Sequence, residues 1–103
     1  MKRHGLLIVD DEKEILRSLT LTFAEDYEVF TASSGAEALE ILKQQDIALI
    51  IADQRMPEMT GAQLLEQVIG IDPHILRIIL TGYTDTTSLI QAINQGHIYP
   101  YIT

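Results

Sequence analysis

The run Leu6-Leu7-Ile8-Val9-Asp10-Asp11-Glu12 decides the fold class. Four consecutive apolar residues, with no polar–apolar alternation, describe a short strand covered on both faces. Two aspartates end it. Asp11-Glu12-Lys13-Glu14 then opens a helix, with Asp11 as its N-cap and Glu14 three places on. Ile15, Leu16, Leu19 and Phe23 recur at helical spacing and form the inward stripe.

Outward from this unit the same alternation repeats. Residues 27–32 are a second strand, more mixed than the first, as an edge strand would be. Ser34-Gly35-Ala36-Glu37 is a capping box for a second helix that buries Ala38, Leu39, Ile41 and Leu42. Residues 47–52 are a third, wholly apolar strand, followed by Asp53. Residues 54–59 form a loop around Pro57, and Thr60 starts a third helix with Leu64, Leu65, Val68 and Ile69 facing inward. Asp72-Pro73 is a turn. Residues 75–80 are a fourth strand, interrupted only by Arg77. Residues 81–84 form a loop, Leu89, Ile90 and Ile93 lie on a fourth helix closed by Gly96, and residues 98–102 are a fifth strand.

Strands alternating with helices imply a parallel sheet with right-handed crossovers. The second strand is the least apolar, and the fifth contains Pro100, which sheets tolerate mainly at an edge. With these two at the edges, the order is 2-1-3-4-5. The expected fold is an α/β, flavodoxin-like, doubly wound five-stranded sheet.

The length of 103 residues suits one domain, and 47% hydrophobic residues suffice for its core. With no cysteine, a disulfide framework and a thiolate metal site are excluded, and a reducing compartment fits. Fifteen acidic against seven basic residues leave a net charge of −8, which repels phosphate backbones and argues against direct nucleic-acid binding. The first apolar run is too short for a signal-peptide core, and no stretch reaches membrane-spanning length, so a cytoplasmic protein with no membrane contact is expected.

The polar interruptions converge. Asp10 and Asp11 follow strand one, Asp53 follows strand three and Thr81 follows strand four, all at carboxyl ends and therefore on one rim. Between strands one and three lies the crevice where such sheets bind ligands. Three carboxylates there repel one another unless a cation joins them. Mg2+ prefers oxygen ligands and keeps open positions that accept phosphoryl oxygens. A carboxylate can serve as nucleophile and form an aspartyl phosphate. Thr81 and the backbone N–H groups of Arg55 and Gly82 are candidate donors to the phosphoryl oxygens. Taken singly, Asp11 reads as a helix cap, while Asp53 and Thr81 read as turn residues. Their joint placement on one rim favours a site.

These residues resemble the receiver family of two-component response regulators, the CheY-like domains. The matching pieces are Leu7-Ile8-Val9-Asp10-Asp11-Glu12, Asp53-Gln54-Arg55-Met56-Pro57-Glu58-Met59-Thr60-Gly61, Leu80-Thr81-Gly82 and the closing residues 96–103. The resemblance implies a signalling switch rather than a conventional enzyme, with Mg2+-dependent self-phosphorylation and autodephosphorylation. A histidine kinase would phosphorylate Asp53. Asp10, Asp11, Asp53 and the backbone carbonyl of Arg55 would surround Mg2+. Thr81 would turn toward the phosphate and Tyr101, rather than Tyr99, would follow it. An output domain or downstream protein would then bind, with the face of helix four and strand five as the expected surface. The Asp53-Gln54-Arg55-Met56-Pro57 segment is similar to receivers attached to transcription-activating or phosphodiesterase outputs.

The family pattern continues with a lysine, a proline and a fifth helix. This chain ends at Thr103, and from Ile78 onward its only charged residue is Asp85. Residues 1–103 are therefore expected to be a receiver domain truncated before its final helix. Without that helix, one sheet face would be open to water. A homodimer that covers this face by exchanging elements is the other expected way to bury it.

Three other functions compete. A magnesium phosphohydrolase would want a second aspartate two places after the nucleophile, where Arg55 stands. A flavin-binding module would want a Ser/Thr/Gly-rich loop where Asp10-Asp11-Glu12 stands. The runner-up is a receiver-shaped interaction module that does not use phosphate. His4, His74 and His97 have no ligand spacing and read as surface or turn residues. Met56 and Met59 are expected near the site entrance.

Overall fold

The computed structural model describes residues 3–80. The fourth helix, the fifth strand, Thr81, Gly82 and Tyr101 of the sequence reading lie outside the described residues. Four strands, β1 (His4–Val9), β2 (Tyr27–Ala32), β3 (Leu49–Asp53) and β4 (Leu76–Leu80), form a parallel sheet in the order β2-β1-β3-β4. This is the α/β fold expected, over the strands described. Three helices connect them: α1 (Lys13–Phe23), α2 (Gly35–Gln44) and α3 (Gly61–Ile71).

Burial on both faces of the sheet explains the unbroken apolar strands. Leu7, Val9, Ile50 and Ala52 point to the side of α2 and α3, where they meet Ala38, Leu42, Leu64, Leu65 and Val68. Leu6, Ile8, Leu49, Ile51 and Ile78 point the other way, to Phe23 of α1. β2 lies at an edge, and its burial is correspondingly partial.

Four details differ from the sequence reading. Glu12, not Asp11, is the N-cap of α1, because the Asp10 carboxylate reaches forward and accepts the Glu12 N–H at 2.9 Å. β3 begins at Leu49 and includes Asp53, which pairs in register with Leu80. β4 begins at Leu76, since the Ile75 N–H is taken by the Asp72 carbonyl of the preceding turn. Ile69 is 46% exposed, because it is one helical step of about 100° beyond buried Val68. Among the described residues, no helix is long and apolar enough to cross a membrane.

Candidate metal and phosphoryl site

β1 pairs with β3 on the side away from β2, with Val9 opposite Ala52. The residues that follow this pair in each strand therefore meet at the carboxyl rim. Asp10, Asp11 and Asp53 each offer one carboxylate oxygen, and these oxygens lie within 4.8 Å of one another. Asp10 is the buried member at 2% exposure, Asp53 is half-buried and Asp11 is exposed. The cluster is thus graded from core to solvent.

Burial costs a carboxylate its hydration, and neighbouring carboxylates add repulsion. The Asp10 carboxyl is pushed up to about 6, first by burial and then by the charges of Asp53 and Asp11, against the opposing Glu12 N–H. Burial also raises Asp53, followed by the charge of Asp11, and Glu12 adds a smaller push. The backbone N–H groups of Gln54 and Arg55, beside the Asp53 carboxylate, act in the opposite direction. Electrostatically, this pocket favours a proton or a cation. Three hard oxygen donors, one of them on an exposed residue, suit a magnesium-type ion.

The loop after Asp53 is tightly held. The Gln54 N–H donates to the Leu80 carbonyl at 3.0 Å, so this residue also fixes the end of β4, next to Thr81 in the chain. Met56 is buried in the core beside α3, which fits the expectation for it only in part, since it is a packing anchor. Met59 packs against Gly35 at the start of α2. Glu58 takes φ of 68°, a left-handed conformation that costs a residue with a side chain about 1 kcal/mol. Gly61 is required by close approach, because a Cβ there would lie 2.5 Å from the Asp53 carbonyl oxygen.

At the start of α3, all four N–H groups that a helix leaves open are taken. Thr60 and Gln63 form a capping box, with Thr60 N–H to Gln63 Oε1 at 2.9 Å and Gln63 N–H to Thr60 Oγ1 at 3.2 Å. Gly61 N–H donates to the Gln54 carbonyl at 3.2 Å, and Ala62 N–H to Gln54 Oε1 at 2.9 Å. The sequence reading missed Gln54 and the Thr60–Gln63 box. The box was signalled by Thr60-Gly61-Ala62-Gln63, whereas a Gln reaching eight residues ahead has no local signature.

The acidic rim lies at the carboxyl ends of β1 and β3 in a β2-β1-β3-β4 parallel sheet, and sequence comparison gives the family. The profile of the response regulator receiver domain matches residues 6–103, and the chain belongs to that family. Such domains of two-component systems are signalling switches rather than conventional enzymes, and they generally bind Mg2+ in an acidic pocket. The chain is similar to the hydrogenase transcriptional regulatory protein HoxA of Cupriavidus necator, 41% identical over 101 residues that cover 98% of this chain and 21% of HoxA. It is also similar to sporulation initiation phosphotransferase F of Bacillus subtilis, 36% identical over 97 residues that cover 93% of this chain and 78% of that protein. The signal receiver domain of an HD domain-containing protein from Pseudomonas fluorescens superposes with a TM-score of 0.80 at 32% identity, covering 98% of this chain and 82% of the other. The chain spans about a fifth of the length of HoxA and of the Escherichia coli transcriptional regulator GlrR.

Proposed function

We propose that this chain is a switch set by phosphorylation of Asp53. The observation that carries the reading is the buried-to-exposed cluster of Asp10, Asp11 and Asp53 on one rim. An Asp53 carboxylate oxygen attacks the phosphorus of a phosphohistidine on a histidine kinase. The new P–O bond forms as the P–N bond breaks, and the imidazole leaves with the electron pair and takes up a proton.

Asp10, Asp11, Asp53 and the Arg55 backbone carbonyl would hold Mg2+, which when bound neutralises charge on the carboxylates and on the phosphoryl oxygens. Asp10 supplies a fixed, buried oxygen. The backbone N–H of Arg55, beside the acceptor carboxylate, is assigned to donate to a phosphoryl oxygen. Thr81, Gly82 and Tyr101 are assigned to phosphate contact and to the ensuing change. The change is passed to an output domain or a downstream protein. HoxA and GlrR are transcriptional regulators, so a transcriptional output is the leading class. Residues 1–103 act as the receiver unit, and the cell compartment of this exchange is the cytoplasm.

The test is intact mass after incubation with an acyl phosphate donor, with and without Mg2+, beside Asp53→Asn. The expected result is a Mg2+-dependent gain of one phosphoryl group in the parent chain alone. No gain in the parent, or an equal gain in Asp53→Asn, overturns the reading. In the first case the phosphate-independent interaction module takes its place.

A further inference from the structure

Gln54 joins three parts of the site. Its N–H holds the Leu80 carbonyl, its own carbonyl takes the Gly61 N–H, and its side-chain Oε1 takes the Ala62 N–H. The loop between these anchors, residues 55–60, therefore begins and ends on one residue. Within it only Met56 is sunk in the core, and Glu58 holds a left-handed φ of 68°. The Arg55 backbone N–H lies beside the Asp53 carboxylate and favours its charged form. A free loop of this length samples many arrangements, so a clasp at its two ends narrows where the Arg55 backbone sits.

We propose that Gln54 is a positioning residue for the metal and phosphoryl site, clasping the first turn of α3 so that the Arg55 backbone stays beside Asp53. This rests on the reading given under Proposed function. Residues that orient a metal's direct ligands commonly control affinity without touching the ion. Ala62 is exposed, so water can satisfy its N–H when the clasp is cut, and folding survives the change.

The clasp can be cut from either side. Gln54→Met keeps the length of the side chain but removes the acceptor. Ala62→Pro removes the donor within the first turn of α3, where no i→i−4 hydrogen bond is lost. Calorimetric Mg2+ titration and the Mg2+ dependence of phosphorylation by an acyl phosphate are measured for the parent, both single variants and the double variant. Each single change is expected to raise the Mg2+ Kd roughly fivefold or more. The Mg2+ needed for half-maximal rate should rise by the same factor, while the rate at saturating Mg2+ stays within about twofold. Because both changes cut one bond, the double variant should be no weaker than the weaker single.

A Gln54→Met variant with parental Mg2+ affinity, whatever its melting temperature, overturns the proposal, as do single effects that multiply in the double variant. A parent that neither binds Mg2+ nor takes up phosphoryl removes the underlying reading and this proposal with it. A parent that does both beside an unaffected variant removes only the role of Gln54.

Discussion

Asp10 shows how one residue can be both costly and useful. Its carboxyl is buried among two other carboxylates and raised to about 6. An unfolded chain would hold it near the ordinary aspartate value, about 4. The fold therefore binds this proton more tightly than the unfolded chain does. The stability it contributes is fully present below about pH 4 and is lost as pH rises through about 6. A shift of about two units corresponds to roughly 3 kcal/mol. Asp53, raised in the same direction, adds to the slope. Asp10→Asn removes the ionisation but keeps an oxygen for the Glu12 N–H. In metal-free buffer at pH 7.5 the variant should be more stable than the parent by up to about 3 kcal/mol. Its stability should also fall less than the parent's between pH 4 and 7, the slope that remains being that of Asp53. Urea unfolding at pH 5 and pH 7.5 in the presence of a chelator checks both statements, and parallel pH slopes for parent and variant would contradict them.

At the scale of elements, helix starts differ in a way that mutation can read. α3 has a reciprocal capping box, and α2 has Ser34 accepting the Glu37 N–H at 3.2 Å while Glu37 Oε1 accepts from Ser33. α1 has no side-chain cap at Glu12. Thr60→Ala and Ser34→Ala should each cost about 1 kcal/mol in chemical denaturation. Lys43→Ala, which breaks an ion pair at 3.6 Å between side chains about two-thirds exposed, should change stability by less than about 0.5 kcal/mol. Equal losses in all three variants would contradict the ranking. The same elements show what a sequence can disclose. Unbroken apolar runs placed β1 and β3, and the Ser34 cap and the bounds of β2 were plain in local pattern. Asp11 was misread as a cap because two adjacent aspartates offer the same chemistry, and only the direction of the Asp10 side chain decides between them. Ile69 was misread because an apolar residue beside a buried stripe looks like part of it. The three aspartates of the site were legible because strand ends bring them to one rim. The Gln54 clasp was not, since it depends on how the loop folds back.

For the whole molecule, the acidic cluster and the net charge of −8 act together. The sheet is covered by two described helices on one face and by α1 on the other, where Leu16, Leu19, Leu76 and Leu80 are only partly buried. A fold with that margin should respond visibly to relief of repulsion at its acidic rim. Mg2+ that binds the folded chain stabilises it by mass action, by about 1.4 kcal/mol at ten times its Kd. For a domain of this size that corresponds to a rise in Tm of roughly 5–10 °C. NaCl at matched ionic strength screens the general charge but cannot bridge three carboxylates, so it should give a much smaller rise. The Mg2+ increment should also shrink as pH falls below about 6, because protons on Asp10 compete with the ion. Thermal melts with MgCl2 or NaCl at pH 5 and pH 7.5 distinguish the two effects. An equal rise with both salts would mean that the chain responds to charge screening alone, and the rim would then be an acidic surface with no cation of its own.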